Sequence, residues 1–301
     1  RGHAGFYEGA FARRLADGVR KAGGLWTAED LARYRVVERE PLVFTHRGWE
    51  IVTAPPPSSG GIALKQIFHV LDGYEYPAMS RVGRVHLLTE AMRRAYRDRA
   101  VYLGDPDFVE VPVDVIGSPL YAAGLRATIS LERATPSELL PGVTKAAESE
   151  DTTHFSIVDA EGNLVAVTQT VNLPYGNAMV VPGTGFLLNN EMDDFSIKPG
   201  VPNAFGLVGE DANKIEPGKR PLSSMTPTLL LGPERVAAIG TPGGSRIITM
   251  VLLGMLGVMD GASAEAVVAA PRFHHQYLPD ALSAEPGALS DDEIKRLEAR
   301  G

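Results

Sequence analysis

The densest chemistry in the chain falls in the run Glu148-Ser149-Glu150-Asp151-Thr152-Thr153-His154-Phe155-Ser156, where an acidic stretch gives way to two threonines and an alternating strand pattern. A threonine hydroxyl inside a chain is a weak nucleophile, because nothing adjacent takes its proton. A threonine at a new N-terminus carries its own base, the α-amine, which titrates at about 7.7 to 8. Cleavage of the Asp151-Thr152 bond would therefore arm Thr152. The competing reading is that Thr152 and Thr153 simply open a strand, where β-branched residues are common.

A nucleophile of this kind needs donors for the charge that develops on the attacked carbonyl. Thr241-Pro242-Gly243-Gly244-Ser245-Arg246 follows a strand pattern and runs into an apolar helix, so the amides of Gly243 and Gly244 suit an oxyanion. The same shape suits phosphate, but the run lacks the Gly-Lys-Ser/Thr ending and the GxGxxG spacing of nucleotide loops. Glu191 and Asp194 read three ways: a general acid/base pair, an exposed acidic loop, or a grip on a ligand ammonium. Ser223 and Ser224 are suited to donate to a carboxylate. His274-His275 raises a metal reading, yet adjacent side chains diverge and no second pair of histidines stands at ligand spacing. The expectation there is packing or a hydrogen bond, and no metal or cofactor is expected.

The elements that position these residues follow from periodicity. Phe11, Leu15 and Val19 mark a helix from Phe6 to Ala22 that Gly23-Gly24 stops, and Thr27-Ala28-Glu29-Asp30 resembles a capping box for a short helix through Tyr34. Trp49 to Ala54 reads as a strand, Pro55 to Gly61 as a loop, and Leu64, Ile67, Phe68 and Leu71 as one face of the next helix. Val85, Leu88, Met92 and Ala95 define a helix to Ala100 whose Arg93, Arg94 and Arg97 read as a solvated face. Gly104 to Asp107 is a turn by composition, and 136–149 reads as a linker or processing loop. His154 to Asp159 and Leu164 to Asn172 form a hairpin about the turn 159–163, with Thr170 and Asn172 on the same side of the second strand. Lys198 to Gly209 reads as a mobile loop. Strands at 228–231 and 235–240 precede the glycine turn, a helix from Ser263 ends at Pro271, and a capped helix starts at Ser290. The pattern is layered α+β.

Composition narrows the partners. A net charge of −8 disfavours nucleic acid and anionic membrane surfaces, which leaves a small molecule as the expected partner. With no cysteine, thiolate catalysis, disulfides and Cys-bound zinc are excluded. The longest apolar run, Ile247 to Met259, falls short of the roughly 20 residues of a membrane span and reads as a core helix. The chain opens on Arg1 and stops at Gly301 after a helical run, which reads as a segment of a longer precursor.

Taken in order, Asp151 to Ser156, Leu188-Asn189-Asn190-Glu191-Met192-Asp193-Asp194-Phe195, Arg220-Pro221-Leu222-Ser223-Ser224-Met225 and Pro242-Gly243-Gly244-Ser245-Arg246 resemble the signatures of the gamma-glutamyltranspeptidase (glutathione hydrolase) family of N-terminal-nucleophile hydrolases. Pro55 to Gly61, Tyr102 to Phe108 and Arg272 to Gln276 agree, so the resemblance covers essentially the whole chain. It implies a four-layer αββα sandwich, truncated here at both ends. It further implies self-cleavage before Thr152 into two subunits that stay packed together, 1–151 from the large and 152–301 from the small. By the resemblance, Thr152 attacks a γ-glutamyl carbonyl, such as that of glutathione, and passes the acyl group to water or to an amino acid or peptide. Thr170 hydrogen-bonds the nucleophile, and Gly243 and Gly244 form the oxyanion hole. Asn172, Glu191 and Asp194 hold the α-ammonium, and Ser223 and Ser224 the α-carboxylate. An arginine clamp belongs to a preceding part of the family's large subunit. Phe205 stands in the loop over the site where some members carry tyrosine. The compartment implied is periplasmic or extracellular. Two alternatives stay open: a cephalosporin or glutaryl acylase of the same superfamily, and a non-maturing, non-catalytic homologue.

Overall fold

The structure, a computed structural model, describes residues 2–140 and 152–301, so Asp151 and the stretch 141–149 of the expected processing loop lie outside the described residues. The chain divides into two compact units, one joining the first 40 residues to Thr170–Glu191, the other joining Pro41–Gln169 to Met192–Gly301.

The smaller unit holds α1 (Gly2–Tyr7), α2 (Gly9–Lys21) and α3 (Ala28–Arg33). The single helix expected from Phe6 is broken at Glu8, which is extended, and Gly9 follows at φ +69, a conformation glycine adopts without steric cost. Leu15 and Val19 are buried with Val181 and Leu188. Helix α3 opens on the expected capping box: Thr27 Oγ1 accepts from the Asp30 amide at 3.1 Å, and the Asp30 carboxylate accepts from the Thr27 amide at 2.8 Å.

The larger unit runs β1 (Leu42–His46), β2 (Trp49–Thr53), α4 (Gly60–Leu71), α5 (Arg81–Tyr102), α6 (Val113–Ile116), α7 (Pro119–Ala127), β3 (Thr153–Val158), β4 (Leu164–Gln169), β5 (Thr228–Leu231), β6 (Val236–Ile239), α8 (Ile247–Met259), α9 (Ala264–Ala269), β7 (Phe273–His274), β8 (Ser283–Ala284) and α10 (Asp291–Glu298). Strands β1-β2-β5-β6 form an antiparallel sheet in that order. The register pairs Thr53 with Thr228, and their hydroxyls lie 2.9 Å apart. Strands β3 and β4 form the expected hairpin, paired from Thr153↔Gln169 to Val158↔Leu164. Its turn is held by the Asp159 carboxylate, which accepts from the amides of Glu161 at 3.0 Å and Asn163 at 2.8 Å. The hairpin packs against β5 and β6, while α4 packs on β1 and α8 on β6. Helix and sheet are therefore mixed through the unit. Helix α8 is a core helix, as expected, and among the described residues no helix is long and apolar enough to cross a membrane.

One expectation fails here. Arg93 and Arg94 do not form a solvated face; they are 4% and 1% exposed. Glu90, fully buried, accepts from Arg94 Nη1 at 2.7 Å and Arg93 Nε at 3.3 Å, and from the amide and hydroxyl of Thr135 at 3.0 and 2.6 Å. Burial pushes the Glu90 carboxyl up, but hydrogen bonds from Thr135 and then Arg94 outweigh it and hold the pKa below its ordinary value. The reason is that α4 and α10 pack on α5, and the two guanidinium groups are compensated inside the protein by Glu90, at i, i+3 and i+4, together with Asp280, which pairs with Arg93. The first described residues of the expected linker or processing loop are packed: Ser137 donates its amide to Asp280 at 2.7 Å and its hydroxyl to the Tyr277 carbonyl at 2.6 Å.

Candidate active site

Past the end of β6 the chain reaches Gly243 at φ +135 and Gly244 at φ +51, then a 3-10 turn over Gly244–Arg246 that feeds α8. Glycine is required twice over. A Cβ at 243 would stand 2.2 Å from Met250 Cε, and one at 244 would stand 2.3 Å from Phe205 Cδ1. The turn is closed by the Arg246 amide, which donates to the Gly243 carbonyl at 2.9 Å, and it is braced by the Tyr96 hydroxyl, which donates to the Ser245 carbonyl. Among the described residues neither the Gly243 nor the Gly244 amide donates to a protein acceptor. Two successive backbone donors at a helix start suit an oxyanion.

Thr152 immediately precedes β3 and is half-buried. Two residues on, the ring of His154 lies over Gly240, where a Cβ would meet its Nδ1 and Cε1 at 2.2 Å. His154 Nδ1 pairs with the Thr168 hydroxyl at 2.8 Å and Nε2 with the Ser156 hydroxyl at 3.1 Å, and burial pulls its pKa down. The ring thus packs the strand after Thr152 against the segment that enters the glycine turn. The sequence reading missed this pair; its one signal was a glycine ending a strand, which often marks a close approach.

The loop expected to be mobile, Lys198 to Gly209, buries Phe205, Leu207 and Val208. The side-chain oxygen of Asn203 accepts from the amides of Phe205 and Leu207, both at 3.0 Å, and its Nδ2 donates to Asp194 Oδ1 at 3.2 Å. Asp193 accepts from the Ala204 amide at 2.8 Å, and the Asp194 carbonyl accepts from Asn213 Nδ2 at 2.7 Å. This lacing sets the Phe205 ring against Gly244. From the other side Gln276 Nε2 donates to the Phe205 carbonyl at 3.3 Å, Gln276 Oε1 pairs with His274 Nε2 at 2.7 Å, and His274 Nδ1 pairs with the Thr249 hydroxyl at 2.7 Å. Burial pushes the His274 pKa down to about 3, so the ring is neutral at ordinary pH. His274 therefore has the hydrogen-bonding role expected of it.

Ser223 is fixed by Pro55 to Gly61, the loop flagged in the sequence for its prolines. The Ser223 amide donates to the Pro57 carbonyl at 2.8 Å, and the Ser59 amide and hydroxyl both donate to the Ser223 carbonyl at 2.7 Å. Ser223 Oγ accepts from the Met225 amide at 3.0 Å, and Ser224 Oγ accepts from Arg99 Nη2 at 3.3 Å.

In the smaller unit, Thr170 and Asn172 do not share a strand face. Strand β4 ends at Gln169 and Asn172 is left-handed at φ +75, so the chain turns where the alternation pattern predicted extension. Thr170 Oγ1 accepts from the Asn172 amide at 2.8 Å, and Asn172 Nδ2 donates to the Asn190 carbonyl at 3.2 Å. Asparagine tolerates this conformation better than most residues. Glu191 opens the 3-10 turn Glu191–Asp194. Of the predicted residues, Thr152, Asp194, Phe205, Ser223, Ser224, Gly243 and Gly244 belong to the larger unit, and Thr170, Asn172 and Glu191 to the smaller.

The fold is similar to that of a solved acylase. A cephalosporin acylase from Bacillus halodurans superposes with a TM-score of 0.80 at 26% identity, over 99% of this chain and 52% of that one. Within that class, the family model described as gamma-glutamyltranspeptidase matches residues 1–301, and the chain belongs to the gamma-glutamyltranspeptidase family. The glutathione hydrolase proenzyme of Escherichia coli (strain K12) is 47% identical over 301 residues, covering 98% of this chain and 52% of that protein. The acylase ACY 1 proenzyme of Pseudomonas sp. (strain SE83) is 40% identical over 270 residues, covering 88% and 46%. The chain thus spans about half the length of the curated relatives it matches.

Proposed function

We propose that the chain is the nucleophile-bearing part of a γ-glutamyl transferase/hydrolase that matures by cleavage of Asp151-Thr152. Residues 1–151 would then belong to the large subunit and 152–301 to the small one, packed as an αββα sandwich. The freed Thr152 amine takes the hydroxyl proton, Oγ attacks the γ-carbonyl carbon, and the amine leaving group departs with a proton, leaving a γ-glutamyl ester. Water or an amino-acid or peptide amine then attacks that ester and restores the hydroxyl. Thr170 hydrogen-bonds the nucleophile, and the Gly243 and Gly244 amides take the oxyanion. Asn172, Glu191 and Asp194 grip the α-ammonium, Ser223 and Ser224 the α-carboxylate, and Phe205 covers the pocket. Glutathione is the reference substrate and the periplasm or cell exterior the compartment.

One observation carries this reading. The strand after Thr152 packs, through His154 on Gly240, against the strand end that leads three residues later into two amides without protein acceptors among the described residues. The test is the intact mass and N-terminal sequence of the full-length protein with its glutathione hydrolysis. We expect two fragments, the smaller beginning at Thr152, and a Thr152→Ala variant that stays uncut and inactive. A variant that is still cleaved or still turns over glutathione refutes the nucleophile assignment.

A second reading, a cephalosporin or glutaryl acylase, is favoured by the structural likeness to the Bacillus halodurans enzyme. Glutathione and a glutaryl amide separate the two, because a glutaryl group offers no ammonium to Glu191 and Asp194. Preference for the glutaryl amide selects the acylase.

A further inference from the structure

A buried cation sits behind the serine pair, and no role for it was read from the sequence. Arg99, near the C-terminal end of α5, is 4% exposed. Its Nε donates to Ser59 Oγ at 3.0 Å and its Nη2 donates to Ser224 Oγ at 3.3 Å. Burial pulls its pKa down while Tyr96 and Asp194 push it back up, so the carboxylate proposed to hold the ammonium acts on the same guanidinium that holds the serine.

The direction of these bonds matters. A guanidinium only donates, so both serine oxygens are acceptors toward Arg99, and each serine must place its single proton elsewhere. Ser59 gives its proton to the Ser223 carbonyl. Ser224, 7% exposed, has no acceptor for its proton among the described residues. Ser223 repeats the pattern, since its oxygen accepts from the Met225 amide. The result is two adjacent hydroxyls whose oxygens already accept a hydrogen bond and whose protons remain for an anion. A buried cation adds its field to the same place, and hydrogen bonds to charged groups are the stronger kind.

We propose that Arg99 is the positioning residue for carboxylate recognition: by donating to Ser59 and Ser224 it fixes the Ser224 hydroxyl as a donor toward the α-carboxylate of a γ-glutamyl substrate. This rests on the γ-glutamyl reading above and goes beyond it, because Arg99 acts through Ser224.

The test uses the full-length, matured protein and three p-nitroanilides. L-γ-glutamyl-p-nitroanilide carries both charged groups, glutaryl-p-nitroanilide only the carboxylate, and 4-aminobutyryl-p-nitroanilide only the ammonium. We expect Arg99→Met to raise KM for the two carboxylate-bearing donors by about tenfold or more, the scale of one lost charge-assisted hydrogen bond. The kcat/KM for the 4-aminobutyryl donor should stay within about twofold of the parent. If Arg99→Met does not mature, Arg99→Lys, which keeps the charge but not the fork, and Ser59→Ala, which frees one side of it, are read in its place. Each should raise the same two KM values by about threefold, with kcat and Tm near the parent's. Unchanged KM in folded variants overturns the proposal, as does an equal loss on all three donors, which marks Arg99 as structural only. A parent protein that turns over neither carboxylate-bearing donor sinks the γ-glutamyl reading and this inference together. An active parent with indifferent variants sinks the inference alone.

Discussion

A methyl group added at position 244 would meet the Phe205 ring at 2.3 Å on a backbone at φ +51, so Gly244→Ala must either move the ring or tilt the amide. We expect this variant to lose about 100-fold in kcat, the usual cost of one oxyanion donor, with a smaller change in KM. Steady-state kinetics of the matured protein decide it, and a kcat within about threefold of the parent would count against the turn as an oxyanion site. Gly243 and Gly244 were legible in the sequence because glycine announces an unusual backbone. Arg99 was not, because a buried arginine and an exposed one are the same letter, and only its contacts with Ser59 and Ser224 distinguish them. Asn172 falls between these cases. Its type was read as functional, but the turn that orients it was hidden by an alternation pattern that runs past the true strand end.

At the scale of elements, α5 shows how far periodicity reaches. Val85, Leu88, Met92 and Ala95 place the helix correctly, and all four are buried. The inference that the remaining faces are wet fails because Arg93 and Arg94 find two carboxylates inside, Glu90 on the same helix and Asp280. Replacing Glu90 with Gln takes the anion from Arg94, while Arg93 keeps its ion pair with Asp280. We expect Glu90→Gln to cost about 3 to 5 kcal/mol, the penalty for breaking a buried ion pair, read as a lower denaturation midpoint at unchanged slope. A loss under about 1 kcal/mol would mean that the triad behaves as a surface pair. The hairpin β3-β4 was legible in its turn and to within one residue in its first strand, since alternation and an Asp-Ala-Glu-Gly-Asn turn agree locally, whereas the second strand stops three residues short of the pattern. Strand β1 was missed: it follows a charged segment and Pro41, and only Phe44 and His46 of its five residues are buried.

For the whole molecule, acid sensitivity follows from the buried histidines. His274 has its folded pKa pushed down to about 3 by burial, and His275 is also lowered by burial, so the unfolded chain binds more protons than the folded one below the unfolded histidine value of about 6.5. Stability therefore falls as pH drops from there toward 3. We expect His274→Gln to flatten that limb by up to about 1.4 kcal/mol per pH unit, measured by denaturant unfolding at pH 7, 6 and 5. An unchanged slope would show that the ring is not held neutral. The order of elements carried the mixed helix-and-sheet class, whereas the lacing of distant loops was invisible, because hydrogen bonds such as Asn203 to Asp194 and Ser59 to Ser223 leave no period in a sequence. That lacing has an evolutionary consequence. The groups proposed to recognise the acyl tail in the larger unit, Asp194 with its Asn203 tether and Ser223 with Ser224, sit on a short 3-10 turn and on loops, whereas the strand after Thr152 and the helix after Gly244 belong to the regular frame. Selection can therefore exchange the tail-reading segments and keep the reacting frame, which gives a physical route by which proteins named glutathione hydrolase and proteins named acylase diverged on one scaffold.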